Sequence, residues 1–163
     1  MENVKKFLNK TLEVICMSII VLMVLLALWQ VISRYFLNKP STTSEELLIY
    51  CFVWVSLLGA AYVFGKRDHM AMSFFVEKLP PAKNNLTKII SEVAVLVFAG
   101  AVLVYGGIEI TKLAMGQVSP ALGVPMGYIY TVLPLSGVIT IIYSVINLKE
   151  LLIKYGKKVK VEQ

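Results

Sequence analysis

The sequence predicts an all-α integral membrane protein that crosses the bilayer four times, with both termini on the cytoplasmic side. Hydrophobic residues make up 58% of the 163-residue chain and charged residues only 16%, a composition far from that of soluble domains. Four charge-free windows are long enough to be candidate membrane spans. Basic residues are concentrated in alternate connections between these windows, and the more basic side of a membrane protein is normally the cytoplasmic one.

We expect the spans at about residues 12–36, 45–65, 89–110 and 124–148, within a single membrane domain covering 1–163. The first apolar window follows Lys5, Lys6 and Lys10, an arrangement that also begins secretory signals. The window is longer than the apolar part of such a signal and has no small-residue cleavage pattern. We therefore interpret it as an uncleaved first span.

The fourth window, 113–148, is too long for one span and is expected to start with an apolar loop. Helix-breaking residues make 115–125 a poor helix, among them Ser119, Pro120 and Pro125. We predict that helix four starts near Val124, with Pro125 in its first turn. Pro134 removes one backbone hydrogen bond and predicts a kink.

The distribution of basic residues predicts the orientation. Of the 16 Lys and Arg residues, 13 fall before span one, between spans two and three, or after span four, and three fall in the other two connections. Both termini are therefore expected in the cytoplasm. The basic residues behind the net charge of +6 lie between the apolar runs and do not form one basic stripe, so no nucleic-acid partner is predicted.

The connection 66–88 mixes apolar and basic side chains, which is typical of a short interfacial helix. Its apolar residues would contact membrane lipid, while Lys66, Arg67 and Lys78 would face anionic headgroups. This connection also holds His69, the only histidine of the chain.

Residues for catalysis or metal binding are scarce. His69 has no catalytic partner at a recognisable spacing, and the spans place Cys16 and Cys51 near opposite ends of their helices, too far apart for a disulfide. We expect no enzyme activity, no metal site and no cofactor. Glu92 and Glu109 bracket the third window as boundary residues, each with a lysine at helical spacing.

A self-sufficient transporter is also poorly supported, because such proteins place ionisable groups near the bilayer midplane and all four windows lack charge. Arg34, Glu45 and Glu46 lie together at the outer ends of helices one and two. They are either a solvated hairpin tip or a docking site for a partner, and the sequence leaves both open. The small residue Gly59 and its neighbours on helix two are expected to serve close helix packing.

A series of residues runs along most of the chain in this order: Gln30, Val31, Arg34, Tyr35, Glu45, Glu46, Leu47, Phe52, Val53, Trp54, Leu58, Gly59, Ala60, Ala61, Arg67, His69, Leu79, Pro80, Ser119, Pro120, Ala121, Leu122, Val124, Pro125, Met126, Tyr128, Ile129, Tyr130, Leu133 and Pro134. In this series the chain resembles the small membrane subunit of the tripartite ATP-independent periplasmic (TRAP) transporters. Two positions differ from the family pattern, where Thr43 replaces a tryptophan and Ser73 an acidic residue.

The resemblance implies a scaffold in the bacterial inner membrane that binds a large TRAP permease subunit. A periplasmic binding protein would deliver an organic acid of the dicarboxylate or sialic acid type for sodium-coupled uptake, with sodium and substrate bound on the large subunit. The candidate interface or structural residues on this chain are Gln30, Arg34, Tyr35, Glu45, Glu46, Trp54, Gly59, Arg67, His69, Pro120, Pro125, Tyr130 and Pro134. The alternative is a four-helix exporter acting as a homodimer, for which Glu92 is the candidate carboxylate.

Overall fold

The computed structural model describes residues 2–66 and 81–159, and this part of the chain is almost entirely helical. The elements in order are α1 (Glu2–Tyr35), α2 (Thr42–Lys66), α3 (Pro81–Phe98), a π-helical segment (Ala99–Gly106), α4 (Gly107–Ala114), α5 (Gly127–Tyr130) and α6 (Val132–Val159). Four stretches are long and apolar enough to cross a membrane: Val4–Tyr35, Thr42–Lys66, Thr87–Ala114 and Gly127–Leu151. The predicted all-α fold class with four spanning helices is confirmed.

Both terminal helices extend beyond the predicted spans. Helix α1 begins at Glu2, not near residue 12, and α6 ends at Val159, not near residue 148. An α-helix satisfies its own backbone hydrogen bonds in lipid and in water alike, so an apolar window marks only the part suited to hydrocarbon. The N-terminal lysines therefore lie on the same helix as the first span.

The third span contains a π-helical segment that the sequence did not predict. Its eight residues lie between α3 and α4 and pack on α6 at Gly137. A Cβ atom on Gly137 would lie 2.8 Å from the Cβ atom of Leu103 and 3.1 Å from the backbone nitrogen of Val104. Glycine thus provides the space for a wider helical turn, which explains why two apolar segments can approach so closely here.

The fourth span begins later than predicted. Pro125 pairs with Val118 in an isolated antiparallel bridge, and the span begins with α5 at Gly127. The helix is then interrupted at Thr131, one turn before Pro134. Proline has no amide hydrogen and crowds the carbonyl four residues earlier, which explains an interruption at this point.

The helices pack in the order α1, α2, α6 and third span, so α6 has neighbours on both sides. Accordingly, 39% of the apolar window of Gly127–Leu151 is buried, against none of that of α1. The buried apolar core is formed by Leu12 of α1, Leu58 of α2, and Val132 and Tyr143 of α6. Helix α6 is therefore the central element, while α1 leaves most of its apolar surface exposed.

The close approach of α2 and α6 occurs at Gly65 and not at Gly59. A Cβ atom on Gly59 would meet no atom within 4 Å, so its predicted role in close packing is wrong for the packing within this chain. A Cβ atom on Gly65 would lie 2.6 to 2.7 Å from the ring of Tyr143. Of the neighbouring small residues, Ala61 is buried, whereas Ala60 is exposed.

Candidate functional site

The turn between α1 and α2 fixes the position of the first turns of α2. Asn38 adopts a left-handed conformation with φ of 49° in the turn that follows α1, and the Ser33 hydroxyl donates to the Lys39 carbonyl. The Ser41 hydroxyl oxygen lies 3.4 Å from the Ser44 amide and serves as an N-cap. The start of α2 is thereby defined by local hydrogen bonds, and Glu46 follows in its second turn.

The segment between the third and fourth spans forms a small hairpin. The Ser119 amide donates to the Val124 carbonyl at 2.9 Å, and the Gly123 amide donates to the Ser119 carbonyl at 3.0 Å. Gly123 has a φ of +67°, which a glycine adopts without steric cost. This geometry leaves the amides of Ala121 and Leu122 pointing toward α2.

Glu46 binds this hairpin with its carboxylate. One carboxylate oxygen accepts from the Ser119 hydroxyl at 2.5 Å and from the Tyr50 hydroxyl, and the other accepts from the amides of Ala121 at 2.8 Å and Leu122 at 3.1 Å. We call these five residues the Glu46 joint. It connects α2 to a loop more than 70 residues away in the sequence.

The Glu46 joint is structural in its chemistry. A carboxylate has about four lone-pair sites, and Glu46 uses four donors from the protein itself. Ser119, which is only 2% exposed, also accepts from the Leu122 amide at 3.2 Å. Such a saturated carboxylate has little capacity left for a substrate or a cation, and its geometry instead holds a loop in place.

The predicted charged cluster is divided by this arrangement. Glu46 is half-buried in the joint, while Arg34 and Glu45 are exposed. The interpretation of all three as a solvated hairpin tip is therefore wrong for Glu46, whose carboxylate holds the hairpin. Tyr50 was not among the predicted site residues, although its position four residues after Glu46 on a helix is a signal for such a contact.

A second polar group lies at the opposite end of the helices. The Tyr143 hydroxyl, on a residue 1% exposed, donates to the Asn9 amide oxygen at 2.6 Å. The Lys5 ammonium donates to the Asn147 amide oxygen at 2.9 Å and lies 3.9 Å from the Glu150 carboxylate. We call these five residues the Tyr143 cluster. It ties the N-terminal turns of α1 to α6, and its contacts were not predicted from the sequence.

These two polar groups are separated by about the thickness of a bilayer core. Gly65, which contacts Tyr143, follows Glu46 by 19 residues of α2, or about 28 Å along the helix axis, against a hydrocarbon core of about 30 Å. Between them, Ser136 and Thr140 donate to carbonyls of their own helix. Within residues 2–66 and 81–159, no group of acidic, histidine or cysteine side chains could hold a metal ion.

The other predicted residues have separate positions. Trp54 packs against the core, and Pro134 contacts Gly107 across the interface with the third span. Tyr35 and Pro120 are exposed, whereas Gln30, Pro125 and Tyr130 are partly buried. Arg67, His69 and the predicted interfacial helix fall on segments that lie outside the described residues.

Two predictions about pairing are confirmed. Cys16 and Cys51 are free cysteines. Glu109 has its predicted helical partner, with the Lys112 ammonium 3.0 Å from its carboxylate.

Comparisons with known proteins identify the family of the chain. The family model described as the DctQ component of tripartite ATP-independent periplasmic transporters matches residues 23–154. The sialic acid TRAP transporter small permease protein SiaQ of Vibrio cholerae is 31% identical, over 94% of this chain and 90% of its own length. A TRAP transporter small permease protein of Haemophilus influenzae is 30% identical, over 85% of this chain and 86% of its own.

A larger protein also matches. The isethionate TRAP transporter permease protein DctMQ of Oleidesulfovibrio alaskensis is 30% identical over 57% of this chain, and the match covers 15% of its own length. The family model, the two relatives of similar length and the four spanning helices together establish the family. The chain belongs to the DctQ family and is a small permease subunit of a TRAP transporter.

Proposed function

We propose that this subunit is a rigid scaffold that binds the large permease subunit of its transporter and supports sodium-coupled uptake of an organic acid. The substrate would be of the dicarboxylate or sialic acid type and would be delivered by a periplasmic binding protein. Sodium and substrate would bind on the large subunit. The main support is the arrangement of polar groups, with the Glu46 joint at one end of the helices and the Tyr143 cluster at the other.

The geometry argues for a static role. The Glu46 joint fixes α2 to the hairpin before α5, and the Tyr143 cluster fixes α1 to α6 at the other end. A moving or ion-binding element is expected to keep polar groups near the membrane midplane. In this chain Ser136 and Thr140, which lie between the Glu46 joint and the Tyr143 cluster, donate to carbonyls of their own helix.

The matches to larger proteins support the proposed partner. DctMQ and the sialic acid TRAP transporter permease protein SiaT of Haemophilus influenzae both align with this chain, over only 15% and 24% of their own lengths. A segment similar to this chain thus occurs within longer permease chains. This is the pattern expected if the small subunit works beside a larger one.

We further propose an inner-membrane location with both termini in the cytoplasm. The distribution of basic residues supports this orientation, because 13 of the 16 Lys and Arg residues would lie on the cytoplasmic side and three on the other. In this orientation the Glu46 joint lies on the periplasmic side, where the binding protein would dock, and the Tyr143 cluster lies on the cytoplasmic side. Single cysteines near each end, labelled from outside intact cells in a background without Cys16 and Cys51, test it.

Reconstitution tests the scaffold proposal. The large permease subunit of the same transporter is placed in proteoliposomes with its binding protein, with or without this chain, and uptake of labelled substrate is measured with and without a sodium gradient. We expect sodium-dependent uptake only when this chain is present. Equal uptake by the large subunit alone would overturn the proposal.

The exposed charges Arg34 and Glu45 remain candidates for docking. Charge reversal of both is expected to weaken uptake or assembly while leaving membrane insertion intact, because both lie at an interface and not in hydrocarbon. Normal uptake and normal yield of the complex would show that they only mark the membrane boundary. The exporter alternative gains no support, since the family is that of transporter small permeases.

A further inference from the structure

An apolar groove of about 220 Å³ opens between α1, α2 and α6. Its lining includes Phe7, Thr11 and Ile15 of α1, Trp54 of α2, and Leu135 and Ile139 of α6. All three helices are long and apolar enough to span a membrane. The groove therefore lies in the membrane-spanning part of the protein.

The size of the groove limits what can occupy it. A cavity of about 150 Å³ already accepts a benzene molecule, so a slender hydrocarbon fits without difficulty. The volume is therefore sufficient for part of one acyl chain.

The depth of the groove also fits one lipid chain. Phe7 and Ile15 are eight residues apart, which is about 12 Å along α1. One leaflet of the hydrocarbon core is about 15 Å thick. The groove thus begins near one membrane surface and ends before the midplane.

The surface end of the groove is basic. Lys5, beside Phe7 and Leu8 on α1, contacts Asn147 and Glu150 in the Tyr143 cluster. The exposed Lys149 lies 14 residues after Leu135, and two heptads bring a helical residue back to nearly the same face. Two lysines on different helices therefore lie toward this end of the groove, and Glu150 lies beside Lys5.

We propose that this groove binds one acyl chain of an anionic phospholipid, with the phosphate near Lys149 and Lys5. The bound chain would fill the space between α1 and α6 above the Tyr143 cluster. It would make α1, which packs mainly on α2, a firmer part of the scaffold. The proposal does not depend on the large subunit or on sodium coupling.

Fluorescence quenching tests this proposal on the full chain. Trp54 lines the groove, and Trp29 is the other of the two tryptophans. Trp29→Phe leaves Trp54 as the sole tryptophan, and Trp54→Phe leaves Trp29, which is 49% exposed, as a matched control. Each variant is reconstituted in phosphatidylcholine vesicles to which one lipid with brominated acyl chains is added. This brominated lipid is either phosphatidylglycerol or phosphatidylcholine, at the same fraction in both cases.

We expect brominated phosphatidylglycerol to quench Trp54 more strongly than brominated phosphatidylcholine, whereas Trp29 should be quenched equally by both. Lys149→Gln should reduce the preference for phosphatidylglycerol at Trp54 by about five-fold, since one basic residue near a membrane surface contributes about 1 kcal/mol. The control Lys39→Gln lies in the turn between α1 and α2 and should leave the preference unchanged.

Two results would overturn the proposal. Equal quenching of Trp54 by both lipids would show that no anionic headgroup is selected. Absence of quenching by either lipid would show that a protein segment and not lipid fills the groove. The tryptophan variants leave every other groove-lining residue in place, and helical circular dichroism equal to that of the native chain, with monodisperse elution, establishes that the fold is intact.

Discussion

Replacing Gly65 by alanine should loosen the contact between α2 and α6 at the Tyr143 cluster. The added methyl group would lie 2.6 to 2.7 Å from three atoms of the Tyr143 ring, well inside van der Waals contact. Tyr143 is 1% exposed, so its ring cannot move away without displacing the core or breaking its hydrogen bond to Asn9. Overpacking of this kind costs about 1–3 kcal/mol of unfolding free energy.

Equilibrium unfolding in mixed detergent micelles, followed by tryptophan fluorescence, measures this cost. Gly59→Ala is the matched control, because it lies on the same helix and its methyl group would meet no atom within 4 Å. The control should be neutral or more stable by up to about 1 kcal/mol, since alanine favours helix over glycine. Of the two substitutions, only Gly65→Ala is thus expected to lower the free energy of unfolding.

A double-mutant cycle identifies the cause. If the Tyr143 ring is the obstacle, Gly65→Ala should cost less in a Tyr143→Leu background than in the native chain, with a coupling of about 0.5 kcal/mol or more. Equal costs in both backgrounds, or equal effects of Gly65→Ala and Gly59→Ala, would refute the proposed close contact between α2 and α6.

Three further predictions concern the Glu46 joint, the Tyr143 cluster and the π-helical segment. Glu46→Gln should lower the thermal stability of the purified chain more than Glu45→Gln, because the amide nitrogen of glutamine would face protein donors; equal shifts would contradict the Glu46 joint. Tyr143→Phe removes a buried hydrogen bond and should lower the unfolding free energy by about 0.5–1.5 kcal/mol. An unchanged unfolding free energy in chemical denaturation would contradict a stabilising role for the bond to Asn9. Gly137→Ala should destabilise by about 1–3 kcal/mol by displacing the π-helical segment, whereas Gly100→Ala, with no atom within 4 Å of its methyl group, should not; melting curves of the pair decide this.

The membrane fold could be predicted from composition and charge because a bilayer imposes simple rules on a sequence. An apolar run of about 20 residues has few alternatives to a spanning helix, so the windows beginning near Val14 and Leu47 were sufficient to place the first two spans. The loop before the fourth span was likewise visible as Pro120, Gly123 and Pro125. The motif at Ser119 and Pro120 also marked the hairpin before the fourth span as a candidate site, although it did not indicate the contact with Glu46.

What the tertiary structure decided is which polar residues meet. Glu46 and Glu45 are adjacent and chemically alike, yet only Glu46 reaches Ser119 and the amides of the hairpin. Likewise, nothing near Tyr143 in the sequence indicates that its hydroxyl meets Asn9, 134 residues away. Hydropathy and charge are properties of single positions and so determined the number and predicted orientation of the spans. The pairing of helices depends on distances between remote segments, which only close packing in three dimensions fixes.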